Sequence, residues 1–300
     1  MPDLNITLVV GTLHSVSELL RKRSVFWQTP ITLEPLMNSR SKYYPVNAVC
    51  LFFSCCLAFV CVLSLIGVAH AQSIDEAKAA YAQGRFAEAA RIGERLGTSQ
   101  GFALSAKSLS VHANYIAKKG EKKELLEQAV TLARKAVTSN PGNADAHLQL
   151  ARTIGRRAET VGVFEAAGEA EKIRESTENA LRINPKLVAA HLSLGRWHSE
   201  LVGAMGSFMA RTVYGARKKD AIASFEKALA LAPNAKAVSL QYALGLLALD
   251  DYQYRGKARD LLMRAIKLPA KDAYERILHT EAIEALNSLN ESDDDDDDDY

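Results

Sequence analysis

Thiols are nearly absent from this 300-residue chain. All four cysteines, Cys50, Cys55, Cys56 and Cys61, fall within one short apolar stretch. Nothing after residue 61 can form a disulfide, act as a thiol nucleophile or supply a thiolate to a metal. The chain also lacks any sustained polar–apolar alternation of the kind a half-buried strand writes, which leaves helices. Nucleophile motifs are missing too: there is no Gly-x-Ser-x-Gly, no supported Ser-x-x-Lys and no His-Glu-x-x-His. The glycine pairs Gly162/Gly168 and Gly203/Gly206 follow no expected strand, so phosphate-loop readings fail. A non-enzymatic protein without a cofactor is the expectation.

Charge is missing from one long run. Residues 48–68 carry none, Arg40 and Lys42 precede them, and Ala69-His70-Ala71 follows. A basic flank, an apolar run and a small-x-small exit read as a secretory signal cut after Ala71. The run is also long enough to span a bilayer as an uncleaved anchor. A start at Met37 gives an ordinary signal peptide, whereas a start at Met1, with Arg21-Lys22-Arg23 in the lead, favours the anchor. A cysteine-free body suits an oxidising compartment, so the expectation is an exported chain, periplasmic if bacterial. Export removes nucleic acid as a partner.

Residues 72–300 hold equal numbers of basic and acidic residues, but Glu291 and Asp293–Asp299 concentrate eight acids at one end. Residues 72–290 therefore carry a formal +8. A run of seven aspartates cannot fold alone and reads as a solvated tail over 291–300. It lacks the glycine and fixed ligand pattern of a calcium loop. Such a tail reads as a solubilising end; the alternative, on the same chain as a basic body, is a tail that weakly screens the basic face.

The middle of the chain repeats. Ala146-His147-Leu148-Gln149-Leu150-Ala151-Arg152 returns 44 residues later as Ala190-His191-Leu192-Ser193-Leu194-Gly195-Arg196, each just after an Asn-Pro turn (Asn140-Pro141, Asn184-Pro185). Ala129, Ala133, Ala136 and Pro141 are spaced 4, 3 and 5 apart, and Ala221, Phe225, Ala228 and Pro233 repeat that spacing. Ala258, Leu262, Ala265 and Pro269 nearly do, and Gly84-Arg85-Phe86 with Ala89 opens an earlier copy. Small residues at a helix crossing, a large apolar residue one turn on and a helix-stopping proline are what a tight helical hairpin requires. One such hairpin cannot bury its own apolar face, so copies stack.

These residues resemble the tetratricopeptide repeat, over roughly Ile74 to Leu289. The resemblance implies an all-α, right-handed superhelix of antiparallel hairpins spanning 72–290, capped by an amphipathic helix around Asp272–Leu289. Its motif residues are packing residues, so it names no ligand. The proline intervals of 44, 48 and 36 residues compare with about 34 in the plain repeat. Two hairpins are therefore lengthened, around Arg157–Ala170 and Leu201–Ala216. The expectation is that both emerge on one edge and bury Val163, Phe164, Phe208 and Met209 against each other. The alternative is an exposed apolar edge at 201–216 that meets a partner or a membrane.

The second insertion, with Leu194-Gly195-Arg196-Trp197-His198 before it and Ser224-Phe225-Glu226-Lys227-Ala228 after it, resembles the repeat domain of the regulator-of-microtubule-dynamics family. It is also similar to bacterial exported repeat proteins. The resemblance brings no catalytic residues, and the exported N-terminus argues against a microtubule role.

His147 and His191 share one repeat position and read as mostly buried packing residues. His191 and His198 are seven apart on one helical face, but further metal ligands are not supplied nearby, so no metal is expected. In a superhelix of this type the first helix of each repeat lines the concave face. The residues in register there are Leu148, Gln149, Arg152 and Arg156, then Leu192, Ser193, Arg196 and Ser199, then Leu240, Gln241 and Leu244. Arg152 and Arg196 on adjacent helices would make a fork for carboxylates or phosphates, unless acids such as Glu200 hold them. The expected function is a scaffold that binds a protein or peptide, acidic if the fork is free, through its concave face.

Overall fold

The structure is a computed structural model that describes residues 73–161 and 163–297. The side chains of 163–167, 251 and 292–297 are outside that description. The chain divides into Met1–Val68 and Ala69–Tyr300. The first unit lies wholly outside the described residues, as do the run 48–68 and the expected cleavage position after Ala71.

Among the described residues there are eleven α-helices and no strand. They are α1 (Ile74–Ala82), α2 (Phe86–Arg95), α3 (Ser99–Tyr115), α4 (Lys122–Ser139), α5 (Ala144–Ala158), α6 (Val163–Ile183), α7 (Val188–Tyr214), α8 (Lys218–Leu231), α9 (Lys236–Leu249), α10 (Asp251–Lys267) and α11 (Ala273–Asp297). The first ten pair into five hairpins, each packed on the next, in an all-α superhelical repeat stack.

The repeat register is the register of the core. Ala129, Ala133 and Ala136 on α4, Ala221, Phe225 and Ala228 on α8, and Ala258, Leu262 and Ala265 on α10 are all completely buried. Pro141, Pro185, Pro233 and Pro269 each follow a helix end, at Ser139, Ile183, Leu231 and Lys267. Proline cannot extend a helix from outside its first turn, and Asn140 and Asn184 complete the stop. Their Oδ1 atoms accept from the Gly142 and Lys186 amides at 3.0 and 3.1 Å.

The histidines hold equivalent places, as expected, but they are not packing residues. His147 Nε2 donates to the Pro141 carbonyl and His191 Nε2 to the Pro185 carbonyl, both at 2.9 Å. A carbonyl only accepts, so Nε2 carries the proton in both rings. Both side chains are half-buried, because the ring must reach the turn at the surface. Each ties the start of a first helix to the turn before it.

The insertions differ from expectation more sharply. The first hairpin is tied into the core by Arg157, 8% exposed, which pairs with Glu169 at 3.0 Å and Glu127 at 3.1 Å. The second continues α7 past a break at Gly206, and its underside is packed: Trp197, Val202, Ala210 and Ala216 form a buried cluster with Ile173, Leu201 and Tyr214 around it. Trp197 Nε1, just before the second insertion, donates to the Ala170 carbonyl at the end of the first, at 2.8 Å. The outer side is bare, however. Phe208 is 78% exposed and Met209 49%, which overturns their expected burial. The arm offers its neighbour only the face carrying Ala210 and Tyr214, so residues pointing the other way meet water. Val163 and Phe164 have side chains outside the described residues.

Candidate functional site

The concave face is not empty. The C-terminal helix α11 runs along it and meets the first helix of one hairpin after another. At its start the Tyr274 ring lies 6.2 Å from Tyr81 on α1 and 6.4 Å from Tyr115 on α3. Two turns later Glu281 accepts from the Tyr115 hydroxyl at 3.5 Å. On either side of it, Leu278, Ala282 and Leu289 are buried among residues of α8, α9 and α10, including Phe225, Leu240 and Leu262. The sequence shows that this helix has an apolar stripe; it does not show that the stripe fills the groove. The backbone of α11 continues to Asp297, so helix extends into the segment read as a tail.

This placement sorts the expected groove residues. Leu148 and Leu240 are 1% and 0% exposed and belong to the core, a correction to their reading as binding residues. Side chains at that register point into the hairpin and not across the groove. Gln149 is also buried and donates to Asp145 at 3.0 Å. Leu192 and Ser193 are half-buried, Leu192 against the core that contains Phe225. Arg152, Arg156, Arg196 and Gln241 do reach the inner face, but in two separate places.

The first place is cationic. Arg152 and Arg156 of α5 and Lys107 of α3 line a small cavity with Tyr81, Ser110, Gln149 and Tyr274. It encloses about 10 Å³, room for about one water. Arg156 donates to Ser110 Oγ at 3.1 Å, and Lys107 Nζ sits 4.3 Å over the Tyr81 ring centroid. Burial and the positive charge of Arg152 push the Lys107 ammonium below its ordinary pKa. Burial works to raise the Tyr274 phenol, yet Arg156 and Arg152 together hold it below its ordinary value. At Tyr81 burial outweighs the same two arginines and drives the phenol upward.

The second place is an open cleft of about 150 Å³ lined by Arg196, Ser199, Glu200, Gln241, Leu244 and Glu281, with Gly245 and Ala248 in its wall. Arg196 is no free fork. It forms ion pairs with Glu200 on its own helix and, at 3.1 Å, with Glu159 at the end of α5. The alternative in which acids hold the arginine is the arrangement found. Burial raises the Glu281 carboxyl above its ordinary value, and Arg196 and Arg156 pull it back only in part. Arg196 thus holds two carboxylates, and Glu281 adds a third acid to the lining of the cleft. Lys107, Tyr81, Tyr115, Tyr274 and Glu281 were not legible as site residues; the one sequence clue is that Tyr274 and Glu281, seven apart, share a face of α11.

His198 and His191 do not converge on a metal. His198 is buried and accepts the Arg217 amide on Nδ1 at 3.3 Å, and burial lowers its pKa. No cluster able to hold a metal ion occurs among the described residues.

Comparison with known proteins agrees with this architecture. The family model for regulator of microtubule dynamics protein 1-3 matches residues 74–290. No curated protein sequence matches the chain. Among solved structures, the chain is similar to a thermophilic tetratricopeptide-repeat protein from Thermus thermophilus, with a TM-score of 0.51 at 19% identity. That likeness covers 70% of this chain and 96% of the other, and it concerns the fold.

Proposed function

We propose a scaffold function from one premise: the chain belongs to the regulator of microtubule dynamics protein 1-3 family and folds as a tetratricopeptide-like helical stack. In this reading the protein is a non-catalytic interaction module. Its partner docks beside α11, at the cleft between α7, α9 and α11. The observation that carries the reading is that cleft beside α11, with Gln241 and Leu244 beside charged groups.

The chemistry of the cleft revises the expected partner. An acidic ligand was expected on the assumption that Arg196 is free, but Glu159 and Glu200 already occupy it. Glu200 and Glu281 are left facing the opening. A lysine or arginine of the partner, with an apolar neighbour against Leu244, fits this set better than an aspartate does.

A photo-crosslinking residue at Gln241 tests the idea against the same residue at exposed Lys186 beyond the groove. The expected result is one partner captured at 241 and not at 186, and lost when Glu200→Gln and Leu244→Glu are combined. Equal capture at both positions would reject the cleft. Export is part of the proposal: the cleavage reading gives a mature chain that begins at Gln72, which N-terminal sequencing of the protein from cells reads directly. The family name supports a second reading, action on microtubules, and the formal +8 of residues 72–290 is the charge a polyanionic lattice attracts. Salt-sensitive co-sedimentation with microtubules would favour it over the cleft.

A further inference from the structure

The outward face of the second insertion is an unpartnered apolar stripe on a self-contained arm. Gly206 breaks α7 with φ 78° and ψ 157°, a conformation essentially reserved for glycine. Gly215 ends the helix at φ 74°, as a left-handed cap, and the Ala216 amide returns to the Ala210 carbonyl at 3.0 Å. Between these glycines lies a helix of about two turns. At 100° per residue, Ala210 and Tyr214 fall on one side of it, and both face the buried cluster around Trp197. Phe208, Met209 and Val213 fall on the other side with 78%, 49% and 56% of their surface exposed, and Met205 adds 36% just before the break. A folded chain does not usually leave its largest apolar residues grouped this way unless something meets them.

The charge around the stripe identifies what that is. Residues 201–219 include Arg211, Arg217, Lys218 and Lys219 and no acidic residue. Arg211, Arg217 and Lys219 are exposed, while Lys218 is turned toward Asp250 at 3.6 Å. A symmetric contact between two copies would set these cations against each other. A short helix with phenylalanine, methionine and valine outward and basic residues at its margin is suited to the headgroup boundary of an anionic bilayer. Among the described residues no helix is long and apolar enough to cross a membrane, so contact through this arm would be at the surface.

We propose that the arm between Gly206 and Gly215 docks the domain on an anionic lipid surface, with Phe208, Met209 and Val213 entering the headgroup boundary and Arg211, Arg217 and Lys219 facing lipid phosphates. This goes beyond the scaffold reading and does not depend on the cleft, because no residue of the arm lines it.

The test uses the full chain and two vesicle preparations, phosphatidylcholine alone and phosphatidylcholine mixed with phosphatidylserine. Wild type should float with the anionic vesicles, less so as salt rises. Phe208→Asp with Met209→Asp should weaken that binding about tenfold or more, since moving one side chain of this size out of water is worth about such a factor. Both residues are exposed, so the double variant should keep its helix content and melting temperature. Phe208→Trp should show a blue-shifted emission with anionic vesicles and none with neutral ones. Equal flotation of wild type and the double variant would overturn the proposal, because attachment would then come from another part of the chain. So would an unshifted Phe208→Trp spectrum, a lack of preference for anionic lipid, or a wild-type dimer that the double variant dissolves; the last would make the stripe an interface between copies.

Discussion

Tyr115 on α3 donates its hydroxyl to Glu281 on α11 across 3.5 Å, although the two lie 166 positions apart in the chain. A bond of that length between partly exposed groups adds little, within about 1 kcal/mol. What fixes α11 in the groove is packing. Leu278 is 2% exposed and Leu289 4%, both in the cluster with Phe225 and Leu262. Leu278→Ala should therefore lower stability by about 2–5 kcal/mol, while Tyr115→Phe should change it by less than about 1 kcal/mol. Urea denaturation of the two variants measures both. A larger effect from Tyr115→Phe would mean that α11 is a polar latch and not a structural strut.

The paired histidines give a prediction that separates two roles with one substitution. If His147 and His191 were packing residues, leucine would replace either at little loss. As donors to the Pro141 and Pro185 carbonyls, each should lose about 0.5–1.5 kcal/mol on substitution by leucine. Combined, His147→Leu and His191→Leu should add, because the two bonds share no partner. Thermal melts of the two single variants and the double variant decide it; a neutral His147→Leu would restore the packing role.

Much of the fold could be read from the sequence because a repeat states the same fact several times. Ala129, Ala133 and Ala136 announce a crossing, and Ala221, Phe225 and Ala228 announce it again; all six are buried. The groove could not be read in the same way. The stripe on α11 says that it buries a face, but no local rule says which surface it covers, and its contacts with Tyr81 and Tyr115 are far away in the chain. The state of Arg196 stays open in the sequence for the same reason: Glu200 is visible four residues on, but Glu159 comes from another hairpin. Phe208 and Met209 read as buried because their segment carries one charge among sixteen residues; their exposed face appears past the break at Gly206.

Lys236 carries a third prediction. Its side chain is almost entirely buried, 1% exposed, and Nζ donates to the carbonyls of Ala265 and Leu268 at 2.5 and 2.6 Å. Nζ also lies 3.1 Å from His279 Nδ1, which ties the end of α10 to α11. A cation at a helix C-terminus faces the negative end of the dipole and satisfies carbonyls that have no intrahelical donor. Burial lowers its pKa, and Glu275 works against that. Lys236→Met keeps most of the volume but orphans both carbonyls, so it should cost about 2–4 kcal/mol. A urea midpoint equal to wild type would show that water can replace the ammonium there.

The Tyr274 phenol offers a spectroscopic view of the cationic cavity. Burial alone would raise it, but Arg156 and Arg152 bring it below its ordinary value of about 10. Tyr115, half-exposed and facing Glu281, is instead pushed up to about 12, mainly by burial. In an alkaline titration read by tyrosinate absorbance, the difference between wild type and Tyr274→Phe should be a phenol that ionises earlier than an unfolded tyrosine. Arg156→Ala should move that difference back up, since the guanidinium that favours the phenolate is gone. The consequence for stability has a definite sign. An acid with a depressed pKa in the folded state releases its proton there first, so the unfolded chain binds more protons and stability rises with pH. The contribution is fully present above about 10, the unfolded value, and is lost as pH falls through the folded one. Tyr274→Phe should remove this rise, and Arg156→Ala should reduce it, since Arg152 remains. If wild type and Tyr274→Phe lose stability in parallel across that window, the arginines do not act on the phenol and the cavity is not the cationic site described.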